Sequence, residues 1–101
     1  MSRIVFSLAA LADLQKISDD IADNNGTRTA AKYLVKLRQS LEVLAEFPYA
    51  GRLRPQLGHK LRSWPHRPYV AIYVPETDGI RIVRIVHGRR KITRRLVAGE
   101  N

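Results

Sequence analysis

The hydrophobic residues in the first half of the chain recur with the period of an α-helix. Between Leu8 and about Asn24 they follow one another at steps of three and four, and charged residues fall between them. A second stripe with the same spacing lies between Gly26 and Pro48. The stripes comprise Leu11, Leu14, Ile17 and Ile21 in the first segment and Leu34, Leu37, Leu41 and Leu44 in the second. This period predicts two amphipathic helices, each with one buried face and with its acidic residues in solvent.

Short polar and breaking residues indicate where these helices begin and end. Ser7 follows the β-rich run RIVFS and is a suitable N-cap for the first helix. Gly26 suits the left-handed conformation after a helix end, and Thr27 or Thr29 can cap the second helix. Pro48 ends it. Because the break between the helices is so short, we predict an antiparallel helical hairpin.

The second half of the chain shows β-strand patterns. After the loop FPYAGRLRPQLG come three strand candidates, HKLRSW, PYVAIYV and IRIVRIVH. The last two are separated by PETDG, whose Asp78-Gly79 pair is typical of a hairpin turn. With the N-terminal strand, the element order is β-α-α-β-β-β. This order predicts an α+β fold, a single domain over residues 1–101 in which the helical hairpin packs on one face of an antiparallel sheet.

The positive charge is concentrated in the second half of the chain. The formal net charge is +9, yet in residues 1–51 six Lys and Arg residues balance six Asp and Glu residues. Residues 52–101 hold twelve Lys and Arg against three Asp and Glu, and the C-terminal segment 88–101 is strongly basic. Such an asymmetry is typical of a protein that binds an anionic partner, either nucleic acid or an acidic protein segment.

The composition argues against several other kinds of site. The chain has no cysteine, its three histidines lack the spacing of a helical zinc pair, and its six glycines are scattered. We therefore expect neither a metal nor another cofactor. No stretch approaches the roughly 20 apolar residues of a membrane span, and no export signal is recognisable. We expect a cytoplasmic protein that does not bind the membrane.

The remaining candidate chemistry is that of arginine, lysine and histidine, which suits cleavage of RNA. His87 ends the last predicted strand and can transfer protons near neutral pH. Lys60, Arg62 and Arg90 can stabilise the negative charge that develops on the attacked phosphate. The alternative is that the basic residues are solvated or paired and that His87 packs against the sheet. The pattern alone leaves both interpretations open.

Four segments occur in a characteristic order: AALADLQKISDDIADNNG, LEVLAEFPYAGRLRP, KLRSWPHRPYVAIYV and RIVRIVHGRRKI. Their most specific pieces are Phe47-Pro48 with Gly51, Leu61-Arg62-Ser63, Tyr69 with Tyr73, and the run from Arg84 to Arg90. Taken together, they resemble the RelE/ParE superfamily of toxins from bacterial toxin–antitoxin pairs, and specifically its ParE branch. The resemblance spans essentially the whole chain. It implies a helical hairpin packed on a twisted antiparallel sheet.

The superfamily includes two activities, and the residues distinguish between them. The RelE-like branch cleaves mRNA in the ribosome and keeps an arginine and a late tyrosine where this chain has Val70 and Leu96. The ParE branch is not enzymatic; it stabilises the complex of DNA gyrase with cleaved DNA. The resemblance therefore implies a gyrase inhibitor, and we expect the target, gyrase or its complex with DNA, to be bound by His87, Arg89, Arg90, Lys91, Arg94 and Arg95.

Two alternatives to a gyrase inhibitor stay open. One is a ribosome-dependent endoribonuclease that uses Lys60, Arg62, His87 and Arg90. The other is a basic binding module without toxicity.

A toxin of this superfamily implies a cognate antitoxin, here a ParD-like protein that forms a hetero-oligomer with the toxin. We expect an amphipathic antitoxin segment to bind hydrophobic helix residues that the sheet leaves uncovered. The candidates are Leu11, Leu14, Ile17, Leu34, Leu37 and Leu41 on the helices, and Arg62 and Trp64 on a strand. Because leucines at helical spacing are usually core residues, most of them are expected to be buried. For Trp64, buried and exposed positions are equally consistent with the sequence.

Overall fold

A computed structural model describes residues 2–99 of the protein. Its elements are, in chain order, β1 (Arg3–Phe6), α1 (Leu8–Asn25), α2 (Thr27–Glu46), β2 (Arg52–Leu53), β3 (Arg62–His66), β4 (Tyr69–Glu76), β5 (Gly79–His87) and α3 (Arg94–Val97). The predicted α+β architecture is confirmed. The structure adds two short elements to the predicted order, namely the two-residue strand β2 and the single turn of helix α3.

The helix boundaries follow from local chemistry. Ser7 is the N-cap of α1, as predicted; its hydroxyl accepts the Ala10 N–H at 3.0 Å and donates to the Val83 carbonyl oxygen at 2.7 Å. The prediction that a threonine caps α2 is wrong, because the cap is Gly26, at φ 91°, with no side-chain hydrogen bond. Gly26 reverses the chain within one residue, so Thr27 is already helical.

The sheet is mixed. Its strand order is β1-β5-β4-β3-β2, and all neighbours are antiparallel except β1 and β5, which run parallel. The strand predicted in HKLRSW is shifted: β3 begins only at Arg62 and extends to His66. The reason is local, because Lys60 has a positive φ of 62° and belongs to the preceding turn.

The sheet has hydrophobic residues on both faces. One face, called the helix face below, packs against α1 and α2 through Ala71, Tyr73, Ile80, Ile82 and Ile85. The other, called the opposite face, carries a smaller cluster of Leu57, Leu61, Ile72 and Val97. A β-bulge explains why the helix-face residues of β5 change phase: Val83 has no partner on β4, and the spacing lengthens from two residues to three.

Within the described residues, no helix has the length and the apolar character needed to cross a membrane.

Candidate functional site

His87 is the last residue of β5 and lies in a row of aromatic rings at one end of the sheet. Its ring meets Tyr69 edge-on at 5.3 Å between centroids, Tyr69 meets Tyr33 at 5.8 Å, and Tyr33 meets His66 at 5.3 Å. His87 Nδ1 also accepts the N–H of Arg89 at 3.1 Å. The imidazole is therefore a packed ring that shapes the turn after β5, which agrees with the structural interpretation of this residue.

Tyr33 joins α2 to this end of the sheet. Its hydroxyl donates to the His66 carbonyl oxygen at 2.6 Å. Burial, reinforced by the neighbouring Tyr69, raises the pKa of Tyr33 to about 12, and burial also raises the pKa of Tyr69. Both phenols are therefore neutral at physiological pH, where they act as packing and hydrogen-bonding groups.

The four residues of the nuclease hypothesis do not form one cluster. Arg62 pairs with Tyr73, and His87 pairs with Tyr69, four residues away along β4, which corresponds to about 13 Å. Arg62 and His87 share the helix face, whereas Arg90 lines a groove on the opposite face. Lys60 is exposed in the turn before β3.

The guanidinium of Arg62 is held by the loop that follows α2. It donates to the carbonyl oxygens of Gly51 at 2.8 Å and Tyr49 at 3.2 Å, and it lies 5.1 Å from the centre of the Tyr49 ring. These contacts give Arg62 a structural role at the end of α2. Its predicted contact with an antitoxin stays a prediction.

The basic segment after β5 is anchored by buried hydrophobic residues. Leu96 and Val97 of α3 are buried, and Val97 joins the cluster on the opposite face. The cations of the segment, which were predicted to bind the target, are exposed: Arg89, Arg90, Lys91, Arg94 and Arg95. Of the segment 88–101, the last two residues lie outside the described part of the chain. The segment is thus folded onto the sheet with exposed cations, of which Arg94 also donates its Nε–H to the Gln56 carbonyl oxygen at 3.1 Å.

A partly buried ion pair connects this segment to the helices. Arg84 donates to Asp13 at 2.7 and 2.9 Å and also to the Leu96 carbonyl oxygen. Asp13 further accepts the Ile85 N–H at 2.9 Å, on the edge of β5 beyond the end of β1. The hydrogen bonds with Asp13 raise the pKa of Arg84. Both side chains are only 11–12% exposed, so the expectation that the acidic helix residues are solvated is wrong for Asp13.

An apolar groove of about 620 Å³ lies between the helical hairpin and β1, the edge strand of the sheet. It brings together four of the residues predicted to bind an antitoxin: Leu14 and Leu34 are half-buried in its walls, and the buried Leu37 and Leu41 lie on its floor. Arg38, Glu42 and Glu46 also line this groove.

The remaining antitoxin candidates lie elsewhere. Leu11 is half exposed on α1 and does not line the groove, whereas Ile17 belongs to the core. The Trp64 indole packs against the helix-face core, and its Nε1 donates to the Ser40 hydroxyl at 2.9 Å. The half-buried Trp64 side chain therefore connects β3 to α2.

A second groove, of about 580 Å³, lies on the opposite face near the turn after β5. Three arginines line it, Arg52, Arg54 and Arg90. Of these three, only Arg90 is predicted from the sequence to have a functional role. The run RLRP carried a usable signal, because alternate residues of a strand share a face, but β2 includes only its first two residues.

Within residues 2–99, no group of three or more His, Asp or Glu residues is arranged to hold a metal ion.

The fold and these surfaces define a class, that of the small α+β toxins of the RelE/ParE superfamily. A family model described as "ParE toxin of type II toxin-antitoxin system, parDE" matches residues 4–92. The chain therefore belongs to the ParE toxin family of type II toxin–antitoxin systems.

Several curated toxins are similar over nearly their whole length. Toxin ParE3 of Caulobacter vibrioides is 28% identical over 96 residues, which cover 95% of this chain and 96% of that protein. Toxin RelE2 of the same organism is 34% identical over 90 residues, with coverages of 89% and 99%. Toxin ParE1 of Mycobacterium tuberculosis is 30% identical over 96 residues, with coverages of 94% and 98%.

Among solved structures, the chromosomal ParDE TA system from P. aeruginosa contains a chain with the same fold. That chain matches with a TM-score of 0.72 and 24% identity, over 86% of this chain and 96% of its own length.

Proposed function

We propose that this toxin inhibits DNA gyrase by binding it, alone or in complex with DNA, and stabilising the cleaved-DNA intermediate. In this proposal the toxin is a non-enzymatic ligand of gyrase. The observation that carries it is the dispersal of the nuclease candidates: Arg62 and Arg90 lie on opposite faces of the sheet, and His87 is a packed ring. Membership of the ParE family supports the same conclusion.

The basic segment 88–99 is the surface best suited to the target. Leu96 and Val97 anchor it, so its cations are presented from a folded base. Arginine binds phosphate or carboxylate through paired N–H groups and stays charged at any physiological pH. Such a surface needs no shifted pKa, because it acts by binding.

The experiment is a cleavage assay with purified gyrase, ATP and supercoiled plasmid, followed by protease treatment. We expect linear DNA only when the toxin is present. The triple substitution of Arg89, Arg90 and Lys91 by glutamine should strongly reduce the linear product, because it removes charge and keeps the anchors Leu96 and Val97. The triple substitution of Arg28, Lys32 and Lys36 by glutamine, at exposed positions on α2, is the control that removes the same three charges.

Two results would contradict the proposal. The first is the absence of linear DNA with a toxin shown by circular dichroism to be folded. The second is an undiminished linear product with the triple variant, which would remove the basic segment from the target surface.

A ribosome-dependent endoribonuclease is the second candidate, favoured by the relative named RelE2. It is tested in a translation extract by mapping cut mRNA, with His87→Ala and Arg90→Ala as variants. Loss of cutting in either variant would support the nuclease, and equal cutting in both would exclude these two residues from catalysis.

We further propose that a ParD-like antitoxin neutralises the toxin by placing an amphipathic helix in the apolar groove. The similarity to a chain of a ParDE system supports a partner of this class. The groove itself supports the site, because Leu14 and Leu34 leave apolar surface uncovered beside the free edge of β1. An apolar groove of this kind is filled in many complexes by one face of a helix.

The antitoxin site is tested by titrating the purified antitoxin into toxin variants in a calorimeter. Leu34→Glu places a charge in the groove and should weaken binding by at least about tenfold, because a buried carboxylate is poorly compensated there. Val43→Glu is the control, since Val43 lies on the same helix, is 56% exposed and is outside the groove. If both variants bind the antitoxin equally well, the groove is not its site.

A further inference from the structure

We propose that the groove lined by Arg52, Arg54 and Arg90 binds the phosphate groups of a nucleic-acid backbone. This inference goes beyond the action on gyrase, because it assigns the toxin a direct contact with nucleic acid that needs no protein target. The groove combines arginines from two separate parts of the chain. Arg52 and Arg54 come from β2 and the residue after it, and only Arg90 belongs to the basic segment after β5.

The groove is built by the sheet. Arg52 pairs with Ser63 on β3, and opposite residues of an antiparallel pair share a face, so both lie on the opposite face with Ile72. Arg54 is the first residue after β2, and its Nη1 donates to the hydroxyl of Ser63 at 3.3 Å. Ser63 is only 6% exposed. This contact orients one side of the Arg54 guanidinium and leaves its other N–H groups for a ligand.

Arg90 reaches the same groove from the turn after β5. The turn is held by two backbone hydrogen bonds, from Gly88 N–H to the Pro68 carbonyl oxygen at 2.7 Å and from Arg90 N–H to the His87 carbonyl oxygen at 3.0 Å. The three guanidinium groups therefore come from two separate segments of the chain that the fold brings together. An ordered backbone lowers the entropy lost when such groups bind an anion.

The positive charge of the groove is not neutralised within residues 2–99. None of the ion pairs there involves Arg52, Arg54 or Arg90. The sequence contains no Asp or Glu in residues 52–75 or 79–99. The acidic residues in the described part of the chain lie on the two long helices, beyond the helix face, or at the hairpin of β4 and β5, where Glu76 ends β4 and Asp78 is in the turn. Among residues 2–99, an incoming anion thus meets three arginines and no competing carboxylate.

A nucleic-acid backbone fits this site better than an acidic peptide does. Each arginine guanidinium can donate two parallel hydrogen bonds to the oxygens of one phosphate group. The walls of the groove also include Pro65, Val70 and Ile92, which offer apolar contacts for a sugar ring. The exposed Arg89 and Lys91 extend the positive charge beside Arg90. A nucleic acid carries a regular series of phosphates, so these additional cations can neutralise neighbouring phosphates of the same strand.

The experiment measures fluorescence anisotropy of labelled oligonucleotides with the full toxin in the absence of gyrase. The probes are a single-stranded DNA, the corresponding duplex, an RNA of the same sequence and a labelled polyglutamate. Variants are Arg52→Gln and Arg90→Gln, and Arg28→Gln on α2 is the control with the same change of charge. Circular dichroism verifies that each variant is folded.

We expect the oligonucleotides to bind more tightly than polyglutamate. Each groove variant should weaken nucleic-acid binding by about tenfold and lower the slope of log affinity against log salt by about one. The control should change affinity by less than about twofold, because a distant exposed charge is screened. The oligonucleotide that binds most tightly identifies the kind of strand that supplies the phosphates.

Two results would overturn the inference. Equal losses in Arg52→Gln, Arg90→Gln and Arg28→Gln would show diffuse attraction to a basic protein. Polyglutamate binding at least as tight as that of every oligonucleotide would assign the groove to an acidic protein segment. Because the assay contains no gyrase, neither result depends on whether the toxin inhibits that enzyme.

Discussion

At the residue scale, the contacts of Gly51 explain why the motif Phe47-Pro48 with Gly51 contains a glycine at this position. Tyr73 is fully buried, and its hydroxyl accepts the Gly51 N–H at 2.9 Å and donates to the Pro48 carbonyl oxygen at 2.7 Å. A Cβ atom at position 51 would lie less than 3.0 Å from the Tyr73 ring and from the Ser63 carbonyl oxygen. The loop after α2 therefore passes over the tyrosine only if residue 51 is glycine.

We expect Gly51→Ala to lower the free energy of unfolding by about 2–3 kcal/mol, because the buried ring of Tyr73 and the backbone of β3 cannot both move away. Chemical denaturation measures this loss. Gly88→Ala is the comparison, since its added Cβ would approach the Pro68 carbonyl oxygen only to 3.2 Å, so the loss should be smaller. Equal losses at the two glycines would refute the explanation by close packing.

At the element scale, α3 is a four-residue helix whose role is to cover the opposite face of the sheet. Thr93 caps it, accepting the Leu96 N–H at 3.2 Å, and Leu96 and Val97 are buried. Val97 packs in a cluster with Leu57 and Ile72. The basic segment is thus part of the hydrophobic structure, and cutting it off removes more than charge.

We expect Val97→Ala to lower the free energy of unfolding by about 1–3 kcal/mol, and truncation after Gly88 to lower it further, because Ile72 would then be uncovered. Thermal or chemical unfolding measures both effects. Lys91→Ala, an exposed position in the same segment, should change stability by less than about 0.5 kcal/mol. A truncated protein as stable as the full chain would show that α3 does not contribute to the core.

The sequence predicted the elements that have a repeating pattern of their own. The two long helices, the N-cap at Ser7 and the hairpin of β4 and β5 each have local signals, and each is confirmed. The parallel pairing of β1 with β5 has none, because nothing in the run RIVFS indicates which strand lies beside it. The helix α3 is too short to show a period, and its cover of Ile72 depends on tertiary contact.

The candidate site was less predictable than the fold for a related reason. The cations after His87 are conspicuous because they are consecutive in the sequence. Arg52 and Arg54 join Arg90 only through strand pairing, and Asp13 meets Arg84 across 71 residues of chain. Which charges converge and which are neutralised is decided by long-range packing, and the sequence pattern does not record it.

At the scale of the whole molecule, the sheet separates two kinds of charged surface. The two long helices together carry six acidic and five basic residues, so the surface that they form is nearly neutral. Twelve of the 18 Lys and Arg residues lie after position 51, several of them at the groove on the opposite face or in the C-terminal segment. The proposed target surface and the proposed antitoxin groove are therefore formed by different residues of the molecule.

The global stability should fall at alkaline pH. The pKa of Tyr33 is raised from 10.0 to about 12, and those of Tyr69 and Tyr73 are also raised, in each case mainly by burial. The unfolded chain therefore loses these protons at lower pH than the folded protein does. The stability that they contribute is complete below pH 10 and declines as the pH rises towards 12.

Urea unfolding at a series of pH values from 9 upwards checks this expectation. Tyr33→Phe should make the alkaline decline shallower, at the cost of the hydrogen bond to the His66 carbonyl oxygen. An equally steep decline in the variant would mean that other groups cause the loss of stability.

The parallel pairing of β1 with β5 determines when the toxin can fold during its synthesis on the ribosome. Arg3 pairs with Gly79 and Phe6 pairs with Ile82. The strand β1 can therefore join the sheet only after β5, which lies far behind it in the chain, has been translated. Contacts so distant along the chain close late in folding. A nascent chain whose last strand is still inside the exit tunnel cannot complete its sheet. Translation interrupted before β5 has left the tunnel therefore yields no folded toxin domain.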